Sequence, residues 1–273
     1  MNFTKMQGLG NDFIIIEDMA AELNFTAADA VRLCNRRTGI GADGVMLVRP
    51  ADSADAYMHL FNSDGSIAEM CGNGIRCFAK YVYDASIAKK PTLAIDTPAG
   101  IKLAELTIDG DTVAAVRIDM GEPLLGKADV PMLGEGSCSL EKIAVENREF
   151  LCSALNTGVP HLVVFEEDLS EEDICHYGPL LEKHPLFPAK INVNFAQVQP
   201  DGSIFVRTWE RGCGRTLACG TGSCACVAAA AMAGYTKRTA TVRLALGELL
   251  IEWAENGHIF MTGPAEVSFR GTI

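Results

Sequence analysis

The chain of 273 residues contains no apolar run near the roughly 20 residues that a membrane-spanning helix needs. Its opening stretch, MNFTKMQGLGND, lacks the apolar core of a secretory signal. No segment concentrates Lys and Arg, and 23 basic residues stand against 35 acidic ones for a net charge of −12. A nucleic-acid or anionic-membrane partner is therefore not expected. Its ten cysteines include no Cys-x-x-Cys pair and are too sparse for a disulfide scaffold. Without a leader they read as thiols in a reducing cytoplasm, which is the expected location. The stretch Gly220-Thr-Gly-Ser223 is not followed by Gly-Lys-Ser/Thr, so it is no phosphate-binding P-loop. What is present is an ordinary globular composition, 48% apolar and 21% charged, which excludes global disorder. The length suits two domains or one duplicated unit.

Read along the chain, Phe13–Ile16 has the pattern of a buried strand, and Thr26-Ala-Ala-Asp29 that of a capping box opening a helix through Ala30, Leu33 and Cys34. Further strands are expected at Val45–Val48 and Tyr57–Phe61, and a helix directly behind Cys71-Gly-Asn-Gly74 with Ile75, Phe78, Ala79 and Val82 inward. Asp109-Gly110 marks a hairpin. The second half repeats this order at a constant offset of 148 residues, which aligns Cys219-Gly-Thr-Gly222 with Cys71-Gly-Asn-Gly74, His161 with Phe13 and Glu210 with Asn62. A helix near Ser170, capped by Asp173, echoes Thr26 and Asp29, and Asn256-Gly257 echoes the hairpin. The expected fold is α+β, two pseudo-symmetric halves, each of strands wrapped around a central helix, with the active site in the cleft between them. The expected boundaries are 1–120 and 121–263, with a terminal strand 264–273 returning to the first half. The two halves join around Gly121–Gly136. The helix after Cys219 is almost uniformly small and apolar, so it has no solvent face and belongs at the centre of its half.

Each half thus offers one cysteine just before Gly-x-Gly and a helix N-terminus. The glycines let the backbone approach a ligand closely, and the first-turn N–H groups favour an anion such as a carboxylate. The helix dipole also stabilises a thiolate at that place. Two such ends facing one another would hold a carboxylate between two thiols. One thiolate could then remove a proton from a substrate carbon while the opposite thiol returns one, inverting the configuration. This chemistry needs no metal and no pyridoxal cofactor. The bland reading of a cysteine is a small buried hydrophobe. It is adopted here for Cys34, Cys138, Cys152, Cys175 and Cys213, and for Cys77, Cys224 and Cys226 within helices. A zinc site from Cys71, Cys77, Cys219 and Cys224 lacks the usual ligand spacing.

Five motifs, Gly8-Leu-Gly-Asn-Asp-Phe13, Phe61-Asn-Ser-Asp-Gly65, Met70-Cys-Gly-Asn-Gly-Ile-Arg-Cys77, Trp209-Glu-Arg-Gly212 and Ala218-Cys-Gly-Thr-Gly222, run in order along most of the chain. Together they resemble the diaminopimelate epimerase family, a pyridoxal-independent racemase group. The resemblance implies epimerisation of LL- to meso-diaminopimelate, a step of lysine and peptidoglycan synthesis, with Cys71 and Cys219 as the two catalytic bases. It further implies that Gly72, Asn73, Gly220 and Thr221 cradle the reacting carboxylate and that Asn11 binds substrate. Asn62, Asn192 and Arg211 are implied at the distal carboxylate, Glu210 near an amino group, and His161 with Glu210 in tuning the thiols. The partner so implied is a small-molecule amino acid. The oligomeric state stays open, a homodimer being one arrangement the sequence allows.

Three positions depart from the family pattern. Val159 stands where Asn often precedes Pro-His, Gly44 where Gln is frequent, and Arg215 where an acid is usual upstream of the second cysteine. They bear on the distal end of the substrate, so a racemase of the same group acting on another amino acid, such as histidine, is the competing reading. A non-catalytic amino-acid-binding protein is a more distant one.

Overall fold

The computed structural model describes residues 1–168 and 170–273. They form two compact units. One comprises Met1–Asp119 with Thr262–Ile273, the other Met120–Met261.

In the first unit, β1 (Asn2–Gly8) and β2 (Asn11–Glu17) form a hairpin whose two-residue turn, Leu9-Gly10, has φ of 57° and 91°. Positive φ at both turn positions matches the twist of the flanking strands. Helix α1 (Ala27–Cys34) follows, and its capping box is formed as expected, Thr26 and Asp29 each bonding the other's backbone N–H. It carries the chain over to β3 (Gly44–Arg49), parallel to β2, and β4 (Ala56–Asn62) runs back antiparallel. After the short β5 (Ile67–Ala68) comes the central helix α2 (Gly72–Asp84), then β6 (Thr92–Asp96), β7 (Lys102–Asp109) and β8 (Thr112–Asp119). The hairpin at Asp109-Gly110 joins β7 to β8, as the dipeptide indicates.

The second unit repeats this connectivity. A hairpin of β9 (Cys138–Val145) and β10 (Arg148–Asn156) leads into β11 (Pro160–Phe165), helix α3 (Glu171–Glu182) and β12 (Asn192–Val198) parallel to β11. Next come β13 (Ile204–Glu210), β14 (Gly214–Thr216), the central helix α4 (Gly220–Met232), β15 (Thr239–Leu244), β16 (Gly247–Trp253) and β17 (Ile259–Gly263). The last strand, β18 (Glu266–Thr272), pairs antiparallel with β1, the place that β9 holds beside β10. The 148-residue offset survives in the register. Phe13 pairs with Gly44 in the first unit and His161 with Asn192 in the second.

The two central helices are buried for the reasons their compositions give. In α4, Gly220 and every residue from Gly222 to Ala230 are buried, and the helix packs on β10, β11, β12, β13, β15 and β16. In α2 the apolar residues Ile75, Phe78, Ala79 and Val82 are inward. Arg76 and Lys80 are buried with them, Arg76 bonding the Gly72 and Pro264 carbonyls and Lys80 bonding Thr112, Val113 and Asp84. Buried charges of this kind persist because each is matched by acceptors.

Two expectations are corrected. Cys175 and Cys213, read as buried packing residues, are exposed. Cys175 lies on the outer face of α3, whose inward positions are Ile174, Gly178, Leu181 and Glu182, and Cys213 sits in the turn that reverses β13 into β14. The remaining cysteines assigned to packing, Cys34, Cys77, Cys138, Cys152, Cys224 and Cys226, are buried. Burial drives the Cys34 and Cys138 thiols up to about 11 and Cys77 up to about 12.

Candidate active site

Each unit carries a cysteine at the N-cap of its central helix. Cys71 and Cys219 both adopt extended backbone, with φ of −141° and −131°, and the first intrahelical bonds run from Ile75 N–H to the Cys71 carbonyl and from Ser223 N–H to the Cys219 carbonyl. The N–H groups of Gly72, Asn73, Gly220 and Thr221 therefore lie in the first turn, ahead of any intrahelical acceptor. This is the anion-favouring end of a helix whose remaining length is packed among strands.

Around Cys71 the neighbours are Asn11, the first residue of β2, and the first turn of α2. The thiol lies 3.5 Å from Asn11 Oδ1 and takes the Gly74 N–H at 3.4 Å, while Asn73 Nδ2 donates to the same Asn11 oxygen at 3.3 Å. Asn11 is oriented from behind, because its Nδ2 donates to Asp43 at 2.7 Å and a carboxylate only accepts. Asp43 also takes the Asp12 N–H at 3.0 Å and Arg36 at 2.7 Å, and Arg36 reaches both oxygens of Asp12. Asp12 is held by Lys5 as well, at 2.7 Å. Burial alone would raise the Asp12 carboxyl, but the bonds from Arg36 and Lys5 outweigh it and bring it down to about 2. Asn62 ends β4 half-buried, with its Nδ2 on Ser66 Oγ at 2.9 Å.

Around Cys219 the neighbours come from β11 and β12. Cys219 is 7% exposed and its sulfur lies 3.5 Å from Thr221 Oγ1. That hydroxyl is 2.9 Å from His161 Nε2, and His161 Nδ1 is 3.0 Å from Asn194 Nδ2. His161 is fully buried, and desolvation, with the positive charge of Arg211 adding to it, presses its pKa down to about 3. The resemblance implied a thiol-tuning role for this histidine; its bond to the residue two places beyond Cys219 puts it within reach of that cysteine through one hydroxyl.

Asn192 and Arg211 are brought together. Asn192 Oδ1 accepts the Arg211 N–H at 3.0 Å and its Nδ2 donates to the Pro160 carbonyl at 2.8 Å, while the exposed Arg211 guanidinium bonds the Ala189 carbonyl at 3.1 Å. Glu182 braces the same turn, accepting the Gly212 N–H at 3.3 Å and Trp209 Nε1 at 2.9 Å. Glu210 closes β13 directly before this turn, paired with Gly214 of β14.

The three departures have local explanations. A side chain at Gly44 would begin 2.7 Å from the Phe61 carbonyl of the neighbouring strand, so a larger residue there requires a shift of β4. Val159 is 38% exposed in the turn between β10 and β11, and Asn156 serves that turn, accepting the Gly158 N–H at 3.0 Å and donating to Asp129 O at 2.9 Å. The Arg215 side chain is largely shielded from solvent. It pairs with Glu171 at the start of α3 and bonds the Thr208 and Thr216 carbonyls. Sequence reading missed Asp43, Asn194 and Thr208. Asn194 alone left a trace, a polar residue inside an apolar strand whose partner at the offset is Met46.

Among the described residues, no group of three or more His, Cys, Asp or Glu side chains is placed to hold a metal ion, and no helix is long and apolar enough to cross a membrane.

The chain has the fold of several solved structures to which its sequence is only distantly similar. It matches a hydroxyproline epimerase from Agrobacterium vitis with a TM-score of 0.69 at 18% identity, over 100% of this chain and 90% of that one. A PhzF-family phenazine biosynthesis protein from Bacillus anthracis matches with a TM-score of 0.72 at 14% identity, over 100% and 98%. Within that fold the sequence matches the family described as diaminopimelate epimerase over residues 3–125 and 153–268, and the chain belongs to that family. Relatives named diaminopimelate epimerase include one from Desulfitobacterium hafniense, 48% identical over 100% of this chain and 98% of its own, and one from Methanococcus maripaludis, 45% identical over 100% and 99%.

Proposed function

We propose that this chain is an isomerase that interconverts LL- and meso-diaminopimelate by two-base proton transfer at one α-carbon, a step of lysine and peptidoglycan synthesis in the cytoplasm. The observation that carries the reading is the recurrence, in each unit, of a cysteine at the N-cap of a buried helix, in a chain of this family. In the reaction one thiolate accepts the α-proton, leaving the electron pair on the carbon, and the other thiol delivers its proton to the opposite face. The thiol and thiolate exchange roles and the substrate is inverted, with no redox change and no part for a metal or pyridoxal group. The α-carboxylate is held by the first-turn N–H groups of Gly72, Asn73, Gly220 and Thr221, with Asn11 beside it. Carbanion charge delocalised into that carboxylate meets donors already in place. Arg211, Asn62 and Asn192 bind the distal carboxylate, for which a guanidinium is suited, and Glu210 takes an amino group.

Deuterium incorporation at the α-carbon in heavy water, across a panel of amino acids, tests the reading. Exchange into LL- and meso-diaminopimelate is expected. Exchange into histidine without exchange into diaminopimelate would give the reaction to the competing racemase, and binding without any exchange would leave only a binding protein.

A further inference from the structure

Beneath the N-terminus of α4 lies a line of polar side chains that two-base chemistry does not by itself require. Asn194, buried on β12, approaches His161 Nδ1 with its nitrogen at 3.0 Å. The same nitrogen lies 3.3 Å from the Leu162 carbonyl, and Oδ1 takes the Thr208 hydroxyl at 3.1 Å. A carbonyl only accepts, so the corner of the amide shared by Leu162 and His161 is the NH2. An amide N–H aimed at Nδ1 needs a lone pair there, which leaves the imidazole proton on Nε2. Nε2–H then donates to Thr221 Oγ1, and that hydroxyl has Cys219 Sγ at 3.5 Å to receive its own proton. Desolvation and the Arg211 charge both keep His161 neutral. The other thiols that interact electrostatically along this helix are Cys224 and Cys226, both buried within α4.

The duplication supplies an internal control. At the 148-residue offset His161, Asn194 and Thr208 correspond to Phe13, Met46 and Leu60, all apolar. At Gly74, the counterpart of Gly222, the space a Cβ would take faces Met46 Cε and Phe13 Cζ instead of Asn194. The same framework of strands and helix is therefore built without the polar line, and burying three polar side chains carries a desolvation cost. Their presence beside one cysteine and not the other points to that cysteine.

We propose that Asn194 is a positioning residue: by fixing His161 as its Nε2–H tautomer, it turns the Thr221 hydroxyl onto Cys219 Sγ and favours the thiolate of that cysteine. The chain of bonds stands on geometry alone; its catalytic meaning rests on Cys219 being one of the two bases proposed above.

Long-range nitrogen–proton NMR of the intact protein reads the tautomer directly. His161 is expected to hold its proton on Nε2 without titrating across the neutral range, and a proton on Nδ1 or an imidazolium there overturns the proposal. Iodoacetamide alkylation, resolved by site with mass spectrometry across pH, reads the consequence. In Asn194→Leu and Thr221→Val the alkylation midpoint of Cys219 is expected to rise by about one pH unit, the size of effect that loss of one hydrogen bond to the charged form produces. In Thr221→Ser it should stay with the wild type. The Cys71 midpoint should be the same in all four proteins and serves as the check on folding. A Cys219 midpoint unmoved in either the Asn194 or the Thr221→Val variant, with Cys71 unchanged, overturns the assignment. Should Asn194→Leu misfold, the tautomer measurement and the Thr221 pair decide it. Absence of deuterium exchange into diaminopimelate by the wild-type protein, with these alkylation results intact, would refute the proposed function and leave the positioning role standing.

Discussion

The amide oxygen of Asn194 occupies the space where a side chain at Gly222 would begin: a Cβ built there lies 2.2 Å from it. At the repeat-related Gly74 a Cβ would meet Met46 Cε at 2.6 Å, the far end of a flexible side chain. Gly222→Ala must therefore displace a buried, hydrogen-bonded amide, whereas Gly74→Ala has only to bend a methionine. The alanine at 222 is expected to lose roughly 1–3 kcal/mol, as overpacked cores do, and the one at 74 less. Urea unfolding of the two variants side by side checks the order. Equal midpoints would show that the polar line is no more rigid than its apolar counterpart.

If Cys71 and Cys219 are the two bases, neither can replace the other, because they serve opposite faces of the carbon. Cys71→Ala and Cys219→Ala should each lower the rate of epimerisation by about 10²–10⁴, the range of a lost general acid or base. Steady-state rates in both directions, measured at matched protein stability, make the comparison. A variant that retains near-wild-type turnover identifies a cysteine outside the chemistry.

The Asp12 carboxyl, drawn down from 3.8 to about 2, links folding to pH in the first unit. A group with a depressed folded pKa contributes stability that is present above its unfolded value and disappears as pH falls through the folded one. The contribution, roughly 1–2 kcal/mol after allowance for partial exposure, should therefore be lost between pH 4 and pH 2. Asp12→Asn is expected to flatten the stability curve in that window and to be less stable than wild type at neutral pH, where Lys5 and Arg36 lose their anion. Denaturant titrations at several pH values test the slope.

Gly178 lies inside α3, where alanine would ordinarily be favoured by about 1 kcal/mol. Here a Cβ would come within 2.7–2.8 Å of the Trp209 ring. The clash outweighs the helix preference, so Gly178→Ala should destabilise the protein. Trp209 also bonds Glu182, which braces the turn behind Arg211, so the variant should raise KM for a substrate with a distal carboxylate more than it lowers kcat. Thermal denaturation and initial rates together separate the two effects.

Much of the fold is legible in local pattern. The capping boxes at Thr26 and Ser170, the hairpin at Asp109-Gly110 and the two helices behind Cys-Gly-x-Gly each follow from side chains that bond backbone within a few residues. Strand β1 was not legible, because TKMQG carries no clean alternation and Lys5 is buried only by its contacts to Asp12 and Gly41. Cys175 illustrates the converse. Its residue type suggests burial, but which face of α3 turns inward is decided by packing against β12 and β13.

The sequence by itself determined the duplication, the paired thiols at helix N-termini and the family motifs, since each is a matter of spacing. Tertiary structure alone decided the surroundings of those thiols. That Arg215 pairs with Glu171, that Asn11 is aimed by Asp43 and that His161 lies between Asn194 and Thr221 are contacts spanning 32 to 60 residues. Strand register and helix placement create them. A one-residue slip in β12 would put Asn194 on the opposite face of its strand, and no local rule in the sequence records that choice.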